Sequence, residues 1–147
     1  MTLKEKLMED LKQAMRQRDE LRVSVIRLTR SSIKNAEIAR GRELDDDGVL
    51  AVIAREVKQR RDSIFEFSKG SRQDLVDKEQ AELQILLGYL PQQITREEIA
   101  AAAKGVIQEI GATGRSDLGK VMSVLAPRLK GKAEGRLISQ VVQELLA

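Results

Sequence analysis

The sequence predicts an all-α protein: a helical N-terminal domain followed by a small three-helix C-terminal tail domain. Three observations carry that prediction. Aliphatic residues recur at three- and four-residue spacing along most of the chain, and no segment alternates with period two. Helix-start and helix-stop residues bracket those stripes. Two prolines and ten glycines among 33% charged residues suit helices better than a β-sandwich.

The first helix opens at Thr2, which has capping-box spacing to Glu5. Leu3, Leu7, Leu11 and Ala14 form its apolar stripe, and the polar run Gln17–Glu20 interrupts it. The second helix is expected from about Glu20 to Ala39, with Leu21, Val25, Leu28 and Ala36 inward and Gly41 as its stop. Asp45-Asp46-Asp47-Gly48 precedes a third stripe of Leu50, Ile53, Val57 and Ile64, where carboxylates cap orphan N–H groups and offset the helix dipole. That helix is expected to end near Lys69-Gly70. A fourth runs from about Arg72 to Gly88 with Leu83, Leu86, Leu87 and Leu90 on its apolar face.

Tyr89-Leu90-Pro91-Gln92-Gln93 reads as a junction, because Pro91 disfavours the α conformation at Leu90. The domains are therefore drawn as 1–91 and 92–147. Thr95 and Glu98 begin a fifth helix with Ile99, Ala102, Val106 and Ile110, stopped by Gly111. Ser116 or Asp117 is expected to cap a sixth, carrying Leu118, Val121, Met122 and Leu125. Pro127 weakens its end and Gly131 breaks it. A seventh runs to the C-terminus with Leu137, Ile138, Val141, Val142 and Leu145 inward. The tail domain is near the lower size limit for independent stability.

Composition narrows the chemistry. There is no cysteine, so neither a disulfide framework nor a thiolate metal site is possible, and no histidine to act as a general base or metal ligand. Residues 1–20 carry charges throughout, so no signal peptide is expected, and no window reaches the apolar length that spans a bilayer. A soluble cytoplasmic protein without membrane contact is the expectation. Ser31-Ser32-Ile33-Lys34 has the spacing of a lysine-activated serine, but it lies inside a predicted helix without the companion motifs of that hydrolase class. Glu43, Asp45, Asp47 and Gly48 imitate the start of a calcium loop, yet its twelfth position is Ala54 where a bidentate glutamate is needed. Helix capping accounts for those carboxylates better. Arg27, Arg30 and Lys34 share one helical face, and Arg55, Lys58 and Arg61 another. A solvated face with nearby acidic partners is the plain reading of both, and auxiliary phosphate contact the minority one. No catalytic, metal or cofactor residue is assigned, and an active site of its own is not expected.

Charge is uneven. The chain carries +3 overall, and residues 113–147 carry all of it: Arg115, Lys120, Arg128, Lys130, Lys132 and Arg136 against Asp117, Glu134 and Glu144. Local positive excess is the electrostatic footprint of a phosphate or nucleic-acid binder. Gly131 permits a turn with positive φ, and Gly135 lets a backbone approach the start of the last helix, where N–H groups and the dipole favour an anion. Lys120 sits one helix earlier. The competing reading is an ordinary solvated turn, in which glycines end a helix and basic residues complement its dipole. Only three aromatic residues occur, and none in this segment, so bases cannot stack on it. A nucleic-acid ligand would be held by backbone and shape, as folded RNA is.

The run KEQAELQILLGYLPQQIT from Lys78 to Thr95 and the run IGATGRSDLGKVMSVLAPRLKGKAEGRL from Ile110 to Leu137 resemble the YqeY family, as does RRDSIFEF from Arg60 to Phe67. The resemblance covers essentially the whole chain. The YqeY family is similar in its C-terminal region to the tail domain of GatB, a subunit of the bacterial aspartyl/glutamyl-tRNA amidotransferase. The resemblance implies a helical domain plus a three-helix tail that contacts transfer RNA, with chemistry residing elsewhere in that enzyme. Similar tails on some glutaminyl-tRNA synthetases assist tRNA binding. It implies a tRNA-facing set of Lys120, Lys130, Gly131, Lys132, Gly135 and Arg136, to which charge adds Arg128. The partners implied are tRNA and an aminoacyl-tRNA synthetase or amidotransferase. The alternative it implies is a component of a glutamine-dependent carbon–nitrogen ligase, although the amidase and kinase machinery of that reaction is missing from this sequence.

Overall fold

A computed structural model describes all residues, Met1–Ala147. Seven α-helices follow in order: α1 Leu3–Arg16, α2 Glu20–Arg40, α3 Asp46–Lys69, α4 Gln73–Leu87, α5 Arg96–Ile110, α6 Leu118–Arg128 and α7 Gly135–Leu146. A 3-10 turn, Arg115–Asp117, precedes α6. The all-α expectation is borne out. The chain divides into two compact units, Met1–Leu90 and Pro91–Ala147.

Local chemistry explains most helix ends. The Thr2 hydroxyl accepts from the Glu5 amide at 3.2 Å while the Glu5 carboxylate accepts from the Thr2 amide, a complete capping box. Asp19, Asp45 and Thr95 likewise accept from the amides of Arg22, Gly48 and Glu98. The acidic run at Asp45 is thus a helix cap, not half of a calcium loop. Gly41 and Gly111 end α2 and α5 with φ of 70° and 68°, the left-handed conformation that glycine adopts without steric cost. After α3 the left-handed residue is Ser71 (φ 56°), not Gly70. Neither Ser116 nor Asp117 caps α6. The Asp117 carboxylate turns back to accept from the Thr113 amide at 2.9 Å.

In the first unit the buried core draws on Leu7 and Leu11 of α1, Val25, Ile26 and Ile33 of α2, Ile53 and Val57 of α3, and Leu83 and Leu86 of α4. The α2 face differs from the sequence expectation. Val25, Ile26, Thr29 and Ile33 point inward, and Leu28 is 54% exposed. A polar contact accounts for the rotation: the Thr29 hydroxyl lies 2.9 Å from both the Val25 carbonyl and the buried Glu56 carboxylate of α3. Leaving that carboxylate in the core without a partner would cost more than exposing one leucine. Between α3 and α4, Arg60 Nε lies 3.4 Å from Glu82 and makes no hydrogen bond. Burial, and then the neighbouring Glu82, push the Glu79 carboxyl above its ordinary value.

The Tyr89 hydroxyl donates to Asp10 of α1, and Lys6 Nζ lies 5.5 Å from the ring centroid. Burial and that carboxylate hold the phenol far above its ordinary value. Tyr89 therefore ties the end of α4 to α1. Glu37 of α2 does similar work: it accepts from Lys4 of α1 and from the Leu44 amide at 2.8 Å, which seats the α2–α3 loop. In the second unit, Ile99, Ala103, Val106, Val121, Leu125, Ile138, Val141 and Val142 are buried together.

Replacing Tyr89 by Phe is expected to destabilise the protein by about 1–2 kcal/mol, read by denaturant unfolding, because Asp10 loses its donor. A change within error would show that the contact contributes nothing net. The Glu37 carboxyl is held below its ordinary value by the Lys4 hydrogen bond and then by the Leu44 amide. Its stabilising share is complete above about pH 4.3 and is lost as pH falls through the lower folded value. Between about pH 5 and pH 3 the Tm of the natural chain should therefore fall further than that of Glu37→Gln. Parallel losses would remove Glu37 from the acid limb.

Candidate nucleic-acid interface

The chain between α6 and α7 folds as a tight turn anchored by buried Leu129, whose carbonyl accepts from the amides of Lys132 (2.9 Å) and Ala133 (3.3 Å). Gly131 sits at its apex with φ 79°. A Cβ there would meet only ordinary contact with Pro91 at 3.6 Å, so the positive φ is what selects glycine. Pro91–Ile94 runs along the turn and pins it. The Gln93 side-chain amide donates to the Gly131 carbonyl at 2.7 Å and to the Pro91 carbonyl at 3.0 Å. The Ile94 amide donates to the Lys132 carbonyl at 3.0 Å. The Gly131 and Lys132 carbonyls are thus occupied. Lys130 and Lys132 remain exposed and make no ion pair within 4 Å.

The amino end of α7 follows directly. Like α4 and α6, and unlike α1, α2, α3 and α5, it has no side-chain cap hydrogen bond: Glu134 stands at the cap position, and its carbonyl accepts from the Ile138 amide at 3.1 Å. Gly135 has open space around its Cα, and Arg136 is exposed beside it. Uncapped N–H groups at the positive end of a 12-residue helix attract an anion, and two unpaired lysines next to them reinforce that field.

The structure separates the other expected members. Arg128 is half-exposed, and its guanidinium pairs with Glu109 of α5 at 3.2 Å, so its charge is already offset. Lys120 lies near the start of α6, about 12 Å of helix before Arg128. Its side chain is 78% exposed and 3.8 Å from Asp117. Asp117 in turn is held below the ordinary carboxylate range, chiefly by its bond to the Thr113 backbone and less by Lys120. Gln93 was not on the sequence-derived set. Its bonding partner stands 38 positions later, beyond the range of any local pattern.

Over residues 4–146 the chain matches the family described as Yqey-like protein. The chain belongs to the YqeY family. Its relatives include "Altered inheritance of mitochondria protein 41, mitochondrial" from Lachancea thermotolerans, 42% identical over 67% of this chain and 53% of that protein. The protein of the same name from Kluyveromyces lactis is 42% identical over 71% and 58%. That from Pyrenophora tritici-repentis is 31% identical over 96% and 79%. This YqeY-family chain thus spans little more than half the length of the first two relatives. Their names correct the cytoplasmic expectation, since these relatives are mitochondrial proteins. The physical reason is that compartment is written in targeting segments, not in the composition of a helical body. No helix of this YqeY-family chain is long and apolar enough to cross a membrane.

Gly131→Ala should destabilise the second unit by about 1–2 kcal/mol through strain at positive φ. Gln93→Ala should leave the helices intact but speed hydrogen exchange at the Lys132 amide, whose bond closes the turn. Unchanged exchange there would show that the turn holds itself without Gln93.

Proposed function

We propose that this chain is a non-catalytic accessory protein that holds the backbone of transfer RNA on its second unit. One observation carries the reading: two lysines without ion-pair partners project from a pinned glycine turn, directly before the uncapped amino end of α7. Lys130, Lys132 and the α7 amino end are the primary contacts, and Arg136 and Lys120 extend them. Arg128 contributes only after releasing Glu109. The absence of aromatic side chains from this surface favours a folded RNA backbone over stacked single strands. The resemblance to the GatB tail supports tRNA as the RNA, and a synthetase or amidotransferase as the enzyme it assists. The names of the relatives favour a mitochondrial setting.

The test is a titration of bulk tRNA between 50 and 200 mM salt. With about four or five phosphates engaged, affinity should fall roughly 60- to 500-fold across that range. Lys130→Glu with Lys132→Glu should weaken binding about tenfold or more near 100 mM salt and flatten the salt slope by about 1.5–2. A flat salt dependence, or an unaffected double variant, defeats the proposal. Association with another protein that survives both high salt and RNase would identify a protein-docking module instead.

A further inference from the structure

The first unit carries a second row of cations for which the turn has no use. Arg27, Arg30 and Lys34 lie on one stripe of α2, spanning about 10 Å of helix. A groove of about 660 Å³ runs beside them, lined also by Lys4, Ser31, Glu37 and Glu43. Its four cations face two carboxylates. Glu37 is committed, accepting from Lys4 and from the Leu44 amide, so Lys4 is neutralised within the fold. Arg27, Arg30 and Lys34 make no ion pair within 4 Å, although the charge of Lys34 acts on Glu37 one turn further along the helix. Close ion pairs therefore do not support this stretch of helix. Like charges at three- and four-residue spacing instead destabilise the helix slightly.

The groove favours phosphate over a peptide. Its apolar lining residues, Leu7 and Ile33, are buried in the core and offer no anchor pocket for a partner side chain. What it offers is cationic donors and the Ser31 hydroxyl. Their spread exceeds one phosphate group and suits more than one phosphate of a nucleic-acid strand. We infer that the outer face of α2 is a second nucleic-acid contact, in which Arg27, Arg30 and Lys34 hold successive backbone phosphates and Ser31 donates a hydrogen bond. That the nucleic acid is tRNA rests on the reading of the second unit given above.

The experiment is an anisotropy titration of labelled bulk tRNA with the full chain at several salt concentrations. It compares the natural chain, Lys130→Glu/Lys132→Glu, and Arg27→Glu/Arg30→Glu/Lys34→Glu. The corresponding glutamine triple variant repeats the measurement without charge reversal, and circular dichroism melting confirms that each variant folds. The α2 variants should lose about tenfold in affinity near 100 mM salt, with a salt slope smaller by about 2. Natural affinity in the α2 variants, alongside weakening in the tail variant, overturns this inference and leaves the proposed function standing. Weakening in the α2 variants alone supports it and overturns the tail as the principal contact. No RNA binding by the natural chain overturns both. Displacement of tRNA by polyglutamate at equal charge overturns the phosphate assignment.

Discussion

Every helix of this protein has to bury a stripe of aliphatic side chains, because the chain has almost nothing else to bury. With two phenylalanines, one tyrosine and no cysteine, neither ring stacking nor cross-links can hold the fold. Leucine, isoleucine and valine must interdigitate at close to crystalline density, and their summed burial supplies the main driving force. Two separate aliphatic cores result, one in each unit. The single tyrosine shows the constraint from the other side. It is buried at the end of the first unit, and its one polar atom there is matched by Asp10.

Polar side chains then determine how the stripes are oriented and how the ends close. Four helices start on a side-chain oxygen that satisfies an orphan amide. Thr29 and Glu56 turn α2 about its axis, so the helix shows Leu28 to solvent. Gln93 and Ile94 hold the Gly131 turn by its carbonyls and leave its side chains outward. α4, α6 and α7 start without such a side-chain oxygen.

Pairing also sorts the cations. Lys4, Arg60, Arg72, Arg96 and Arg128 each meet a carboxylate of their own unit, so they serve the fold. Apart from Arg60, which is buried, pairs of this kind lie at or near the surface, where they add little stability singly but offset charge otherwise open to solvent. Lys130 and Lys132 in one unit, and Arg27 and Arg30 in the other, have no such partner, as is also true of exposed Arg55 and Lys58, and Lys34 acts on Glu37 without closing an ion pair. A net charge read along the chain blurs this distinction. It counted Arg128 with the binding set, and it balanced residues 1–112 to zero although an unpaired row sits within them.

The all-helical class, the seven helices, the caps at Thr2, Asp45 and Thr95, and the glycine stops at Gly41 and Gly111 were determined by the sequence alone. Their causes act within one helical turn, so the residues that decide them are neighbours in the chain. The family was legible too, since its motifs are contiguous runs. The inward face of α2, the pairing of Arg128 with Glu109 and the role of Gln93 were decided only by tertiary structure. Each depends on a partner 19 to 38 positions away, and no local periodicity records which groups folding will bring into contact.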